Sequence, residues 1–255
     1  MVGTRGKKRR MKVGVQLYTL RDALATDLAG GLAKVKSLGY NWVELAGLYD
    51  LSARELGTLL SDTGLTAASA HYGLTQLEDD FGQVVEDLNT LGLTNVVMPW
   101  ISADSYEGRW EEIASRLNGV GSALADEGVR LSYHNHDFEL RDDQGVVPFE
   151  FLADHLDPAS VGFQIDVAWV HHAGHNPAEW IERLGDQVDF LHLKDVTASG
   201  ELCDVGSGAV DWDAVLAAAA EQGIETGFVE HDNPQDAFAT IANCRAFLVG
   251  RNVEF

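Results

Sequence analysis

Residues 130–140 read R-L-S-Y-H-N-H-D-F-E-L, a short strand-like run followed at once by a cluster of polar side chains. The Glu-Gly pair at 127–128 is typical of a helix end, so the run is predicted to enter a strand from a helix. His134 and His136 are two residues apart and would point to the same face of an extended backbone. With the nearby carboxylate of Glu139 they supply ligands that divalent metals accept, although a hydrated histidine-rich loop explains this stretch alone equally well.

The same unit, a short apolar strand followed by a longer amphipathic segment, recurs along the chain. The predicted strands are Lys12–Gln16, Asn41–Leu45, Thr66–His71, Thr94–Pro99, Arg130–Tyr133, Val161–Asp166, Val188–Leu193 and Thr226–Glu230. The predicted helices are 27–37, 52–63, 74–91, 111–127, 149–155, 177–184, 212–221 and 235–249. Eight strand–helix units predict an α/β fold, a single-domain (β/α)8 TIM barrel over residues 11–255. An open doubly wound sheet is the alternative, but no G-x-G-x-x-G follows the first strand.

The first ten residues differ in composition from the rest. Residues 1–10 read M-V-G-T-R-G-K-K-R-R and are predicted to form a disordered basic leader, since they lack the apolar segment of a secretory signal. No apolar run reaches the length of a transmembrane helix. The two cysteines, Cys203 and Cys244, lie far apart and match no metal-binding spacing. These features predict a cytoplasmic protein.

The charge balance is strongly acidic. The chain has 40 acidic and 18 basic residues, a formal net charge of −22, and the leader holds five of the basic ones. Like charges at this density repel one another in dilute buffer, and molar salt screens the repulsion. The acid-rich, lysine-poor composition is typical of proteins from halophiles that accumulate salt. It also argues against nucleic acid and anionic membranes as partners.

Ionisable side chains end most of the predicted strands. The tips carry Glu44, His71, Trp100, His134, His136, Asp166, His192, Lys194 and Glu230. In a TIM barrel the carboxyl ends of the strands surround the active site. Singly, Asp166 is explained as a helix cap, His192 as a core histidine and Glu230 as half of an ion pair. Together with His134 they follow one another by roughly 30 residues, about one βα unit, and predict one divalent-metal site.

One long glycine-rich loop follows the seventh strand. Residues 198–209 are flanked by acidic residues, and the loop is predicted to act as a lid over the site.

A set of motifs in fixed order resembles the sugar phosphate isomerase/epimerase family, the xylose isomerase-like barrels that also include repair endonucleases. The motifs are V-G-V-Q-L-Y-T-L-R at 13–21, V-E-L at 43–45, Y-H-N-H-D-F-E at 133–139, D-V-A-W at 166–169, H-L-K-D at 192–195, V-G-S-G-A-V-D-W at 205–212 and V-E-H-D-N-P at 229–234. The resemblance implies one divalent ion, Mn²⁺, Zn²⁺ or Co²⁺. Its ligands would be an acidic position on the fifth strand, then Asp166, His192 and Glu230.

Two positions depart from the family pattern. His134 stands where the family usually has a glutamate, so only Glu230 remains of the two glutamates that serve ketose 3-epimerases as opposed bases. Glu139 could replace the missing one, either as a ligand or as a base. Trp169 stands where many members have a substrate-binding histidine. The inosose dehydratase branch also carries a histidine-rich fifth-strand tip.

The resemblance implies a metal-dependent isomerase or epimerase acting on a small sugar, such as a keto-sugar or polyol. Glu230 and Glu139 would move protons, and Lys194 would stabilise the charge that develops on the substrate. The expected substrate contacts are Glu44, His71, Trp100, His136 and Trp169. A keto-sugar or inosose-type dehydratase or lyase is the alternative, and a non-catalytic sugar-binding barrel is more distant. The net negative charge argues against a DNA-repair endonuclease. The sequence is compatible with a homo-oligomer.

Overall fold

Short strands rich in buried Val, Ile, Leu and Phe form the centre of the computed structural model, which describes residues 10–255. Apart from the exposed Arg10, the predicted basic leader lies outside the described residues. The strands are β1 Met11–Gln16, β2 Trp42–Leu45, β3 Thr66–His71, β4 Asn95–Met98, β5 Arg130–His134, β6 Val161–Asp166, β7 Val188–Leu193, β8 Asp195–Val196, β9 Leu202–Cys203, β10 Thr226–Val229 and β11 Val253–Glu254.

Eight of these strands close into a parallel barrel. Strands β1 to β7 pair in sequence order, β7 pairs with β10, and β10 pairs with β1, with Lys12 opposite Thr226. The short β11 adds to β1 in parallel, with Met11 opposite Val253. The predicted single-domain TIM barrel is confirmed, and each barrel strand begins and ends within one residue of its predicted bounds.

Helices surround the barrel. They are α1 Arg21–Thr26, α2 Leu28–Ser37, α3 Ala53–Thr63, α4 Leu74–Asp79, α5 Phe81–Leu91, α6 Ala103–Tyr106, α7 Trp110–Asp126, α8 Pro148–His155, α9 Val167–His172, α10 Pro177–Leu184, α11 Trp212–Gln222 and α12 Ala237–Leu248. The prediction of a single helix over 74–91 was wrong, because the helix is interrupted at Asp80, between α4 and α5. The short α9 was not predicted. It starts directly after β6 because the Asp166 side chain accepts hydrogen bonds from the Ala168 and Trp169 backbone N–H groups.

Polar side chains fill the barrel at the level where the strands end. Gln16, Glu44, Ser69, Gln164 and His192 are all fully buried. Strand pairing places Gln16 opposite Glu44, and Glu44 opposite Ser69, so side chains from neighbouring strands meet in one layer. This layer fixes the floor of the site described below.

A second buried layer is apolar. Val97, Phe190 and Phe228 form a cluster separate from the main core, and Phe190 lies two residues before His192 on the same face of β7. Gly14 of β1 passes close to this layer. A Cβ atom there would lie 2.9 Å from the Phe228 ring and 2.7 Å from the Trp42 carbonyl oxygen, so the position requires glycine.

The predicted lid loop is tied to the barrel by one buried carboxylate. Asp195 accepts hydrogen bonds from the backbone N–H groups of Gly206 (2.8 Å), Gly208 (3.2 Å) and Val210 (3.3 Å), and from the indole N–H of Trp212 (2.8 Å). The antiparallel ladder β8–β9 pairs Asp195 and Val196, just before the loop, with Cys203 and Leu202 in its first half. The loop is therefore anchored at both ends, and its closure over a ligand stays a prediction.

Within residues 10–255, no helix is both long enough and apolar enough to cross a membrane.

Candidate metal centre and cavity

Four side chains from consecutive barrel strands converge at the carboxyl end of the barrel. His134 ends β5, Asp166 ends β6, His192 lies near the end of β7, and Glu230 follows β10. One candidate ligand atom from each lies within 4.8 Å of the others, and all four residues are buried. The convergence expected from their spacing is therefore present in the structure.

The hydrogen bonding of these residues fits a bound cation. His134 Nδ1 is buried and has no hydrogen-bond partner in the described part of the chain. Asp166 Oδ2 lies 2.9 Å from Lys194 Nζ but makes no aligned hydrogen bond within that same part. Two imidazoles and two carboxylates form a donor set that Zn²⁺, Mn²⁺ and Co²⁺ accept. The four residues thus fit one divalent ion, and they are the ones that would hold it.

Lys194 lies beside this cluster and is buried. Its ammonium group is 2.9 Å from Asp166, 2.8 Å from Glu230 and 2.9 Å from Asp232. It also lies 5.3 Å from the centre of the Trp169 ring. Burial alone would lower the pKa of Lys194, but the three carboxylates hold it well above its usual value. The ammonium group therefore stays protonated and partly balances the acidic ligands.

Burial and neighbouring charges set the protonation states of the residues in the cluster. Burial would raise the pKa of Glu230, but Lys194 and His192 hold it well below its usual value. Burial would lower the pKa of His192, but the carboxylates of Glu230 and Glu44 raise it to about 10. Burial, helped by His192 and other nearby cations, lowers the pKa of His134 well below its usual value. His134 is thus a neutral imidazole and Glu230 a carboxylate, which are the forms that bind metal.

Glu44 lies beneath the cluster. The sequence suggested a substrate contact, but the side chain is fully buried and contacts Gln16, Ser69, Gln164 and His192. Burial would raise the pKa of Glu44, but His71 and His192 hold it well below its usual value. Glu44 is therefore an ionised group inside the barrel, behind His192.

A cavity of about 580 Å³ opens above the ligand cluster. Its wall includes Tyr18, Ala46, His71, Gly73, Gln76, Pro99, Trp100, His134, His136, Lys194, Glu230, Asp232 and Asn233. His71, Trp100 and His136, three of the expected substrate contacts, line it, and Trp100 is 56% exposed. Trp169 packs against His136 with ring centres 6.1 Å apart. This cavity is the candidate substrate site.

Sequence reasoning missed several residues of the cavity wall. Tyr18 and Gln76 follow strand tips but are neither carboxylates nor imidazoles, so they were not predicted as metal ligands or bases. Asp232 and Asn233 lie in the motif V-E-H-D-N-P at 229–234, in which only Glu230 was predicted as a site residue. Their place directly after a strand tip was the signal that could have identified them.

Glu139 lies away from the cavity. It is fully buried, and its two carboxyl oxygens accept hydrogen bonds from the Tyr133 hydroxyl and the His136 backbone N–H, both at 2.8 Å. Burial raises the pKa of Glu139 to about 8 despite these hydrogen bonds. Neither the described ligand cluster nor the described cavity wall includes it. In this structure Glu139 holds the loop after β5 in place.

The geometry of barrel and ligand cluster agrees with the comparison with known families. The family model for the xylose isomerase-like TIM barrel matches residues 32–242. The chain therefore belongs to the xylose isomerase-like TIM barrel family.

Curated relatives and solved structures are similar at low identity. An inosose dehydratase from Clostridium botulinum is 24% identical over 252 residues, covering 83% of each chain. An inosose dehydratase from Geobacillus kaustophilus is 23% identical over 189 residues, covering 65% of this chain and 61% of the relative.

A sugar phosphate isomerase/epimerase structure from Parabacteroides distasonis has a TM-score of 0.83 at 22% identity, covering 100% of this chain and 98% of that one. The IolI protein, crystallised with a bound zinc atom, has a TM-score of 0.72 at 20% identity, covering 94% and 97%. At these identities the solved structures establish the fold.

Proposed function

We propose that this chain is a metal-dependent enzyme that removes a proton next to the carbonyl group of a keto-sugar or keto-polyol. One observation carries the proposal: Glu230 belongs to the ligand cluster and also lines the cavity, and its neighbours keep it ionised. A carboxylate in that place can help to hold a metal ion and can also reach the C–H group of a substrate in the cavity. The zinc-containing IolI structure is consistent with the donor set found here.

The side chains of the site have different roles in the proposed reaction. A divalent ion held by the four ligands would polarise the substrate carbonyl and make the neighbouring C–H acidic. Glu230 takes the proton from that carbon. The Lys194 ammonium, 2.8 Å from Glu230, stabilises the negative charge that develops on the substrate. The exposed ring of Trp100 and the side chain of His136 position the sugar above the cluster.

We infer that the reaction is an elimination. Epimerisation needs a second proton carrier on the opposite face of the carbon, and Glu139, the carrier that the sequence suggested, does not line the cavity. In elimination, Glu230 takes the proton, the C–H electron pair forms a carbon–carbon double bond, and the β-hydroxyl leaves. Lys194 donates the proton that turns the hydroxyl into water, and Glu230 can return its proton to Lys194 across 2.8 Å. The proposed activity is therefore that of a dehydratase or lyase.

Isomerisation, which the sequence resemblance placed first, is the second candidate. Glu230 is only 5% exposed, so a proton that it takes is sheltered from water. The same carboxylate can return the proton to the neighbouring carbon on the same face, and isomerisation then needs no second base.

Mass spectrometry of reactions in D₂O separates these outcomes. The metal-loaded protein is incubated with a panel of ketoses and inososes, and metal content is measured in parallel. A product lighter by one water supports elimination, whereas a product of unchanged composition with a new carbonyl position supports isomerisation. A protein that binds sugar without metal and without turnover would contradict both and indicate a binding barrel.

A further inference from the structure

We infer that Glu44 is a positioning residue that holds the proton of His192 on Nε2 and leaves Nδ1 free to bind the metal. The inference rests on the proposed metal centre. It goes further by specifying which nitrogen of His192 binds and which buried side chain decides this.

The two edges of the His192 ring face different carboxylates. His192 Nδ1 lies 2.7 Å from Oε2 of Glu230, which belongs to the ligand cluster. His192 Nε2 lies 2.6 Å from Oε2 of Glu44, which belongs to the polar layer inside the barrel. In this structure each ring nitrogen lies within hydrogen-bond distance of a carboxylate, which can only accept, so both edges of the ring donate. A metal ion binds a nitrogen that has lost its proton, and Nδ1 is the nitrogen that faces the ligand cluster, so a metal-binding His192 keeps its N–H on Nε2 and donates it to Glu44.

Glu44 is held in one orientation by neutral donors from three other strands. Ser69 of β3 and Gln164 of β6 donate to Oε1 at 2.5 and 2.7 Å, and Gln16 of β1 donates to Oε2 at 2.7 Å. The direction of the Gln16 amide is itself fixed, because its carbonyl oxygen accepts the Tyr18 backbone N–H at 2.9 Å. Hence Gln16 can present only its NH₂ group to Glu44.

This arrangement gives the first half of the barrel a role in the metal site. The four candidate ligands come from β5, β6, β7 and the end of β10, while Gln16, Glu44 and Ser69 come from β1, β2 and β3. A carboxylate that receives the second N–H of a ligating histidine fixes the orientation and tautomer of that ligand, and its loss typically weakens metal binding 10–100-fold. A fully buried acid behind a histidine is difficult to explain by packing alone.

The test compares two conservative variants with the wild type. Glu44→Gln keeps the shape but turns one of the two acceptor oxygens into an NH₂ donor, so the amide cannot accept all four of the hydrogen bonds that Gln16, Ser69, Gln164 and His192 donate to the carboxylate. Ser69→Ala removes one donor from Oε1 and leaves the Oε2 contact with His192 intact. Co²⁺ and Zn²⁺ affinities are measured by chelator competition, with circular dichroism as the check on folding. We expect Glu44→Gln to weaken metal binding about 10–100-fold and Ser69→Ala to weaken it by well under tenfold.

A second measurement on the wild type needs no folded variant. Nitrogen-15 NMR of the Zn²⁺-loaded protein distinguishes the two His192 nitrogens, and we expect metal on Nδ1 and a proton on Nε2. A proton on Nδ1 would overturn the inference, as would unchanged affinity in folded Glu44→Gln or an equal loss in Ser69→Ala. Any of these leaves the proposed function standing. A wild-type protein that binds no divalent metal would overturn the proposed function as well, so the two failures are distinguishable.

Discussion

Two glutamates that look alike in the sequence have opposite environments in the structure. Glu230 is ionised and lines the cavity, whereas Glu139 is enclosed by Tyr133 and the backbone of His136. The contrast suggests a matched pair of substitutions, since Glu→Gln makes the same chemical change at both positions.

The first prediction concerns catalysis. Glu230→Gln keeps an oxygen that can bind metal but removes the base, so turnover should fall by about 10²–10⁴-fold. The disappearance of the substrate signal, followed by NMR, measures this loss. Glu139→Gln serves as the control and should retain most of the turnover. Loss of turnover in Glu139→Gln, with metal still bound, would show that Glu139 reaches the substrate after all.

The second prediction concerns stability and pH. Burial raises the pKa of Glu139 from 4.5 to about 8, so the folded protein keeps a proton that the unfolded chain releases. The stability from this group is complete below pH 4.5 and is lost as the pH rises towards 8, by on the order of a few kcal/mol. Glu139→Gln removes this dependence. Urea unfolding of both proteins from pH 5 to pH 8 measures it, and parallel curves would contradict a raised pKa.

At the scale of single elements, the loop after β7 depends on one side chain. Asp195 is fully buried and accepts four hydrogen bonds from the stretch between Gly206 and Trp212. The loop was predicted from its glycines and its acidic flanks. Its anchor was not, because nothing in the sequence distinguishes an aspartate that accepts loop N–H groups from one that faces solvent.

The third prediction tests that anchor. Asp195→Asn places an NH₂ group against backbone donors, so buried N–H groups lose their acceptor and the protein should lose about 1–3 kcal/mol of stability. The loop should also become a site of proteolysis. Limited digestion with mass mapping checks this, and Glu201→Gln, an exposed change in the same loop, should behave as wild type. An undigested loop in Asp195→Asn would show that other contacts hold it.

Elements were predictable where their pattern is periodic. Strands such as Val161–Asp166 and Val188–Leu193 are short, mostly apolar runs, and α3 begins with a capping box of Ser52 and Glu55. The break at Asp80 and the helix α9 were missed because both depend on a local change of backbone direction. That change leaves the apolar spacing almost unaltered.

For the whole molecule, barrel closure made the ligand cluster predictable. Parallel strands end at one rim, so side chains one βα unit apart converge whatever the details of packing. The depth of a strand-end side chain within the barrel could not be predicted in the same way. Glu44 and His71 both end strands, yet Glu44 is sealed inside the barrel while His71 lines the cavity. Which side of the rim a tip residue occupies depends on the neighbouring strands, which the local sequence does not describe.

The fourth prediction concerns the effect of the net charge on stability. With a formal charge of −22, the folded chain should be destabilised by self-repulsion at low ionic strength. Molar KCl shortens the screening length to about 3 Å, so the melting temperature should rise steeply from dilute buffer to molar KCl. Differential scanning calorimetry across a KCl series measures this. A flat or falling melting temperature would contradict adaptation to a high-salt interior.

The exposed indole of Trp100 has a practical consequence. All six tryptophans lie within residues 10–255; five of them are buried or half-buried, and among these described residues Trp100 alone is exposed, at the mouth of the cavity. Its fluorescence emission should therefore be the most accessible to iodide quenching. A sugar that covers the ring should shield it and shift the emission to shorter wavelength. The protein thus carries an intrinsic optical reporter, with which stopped-flow mixing could follow ligand entry before any product assay is available.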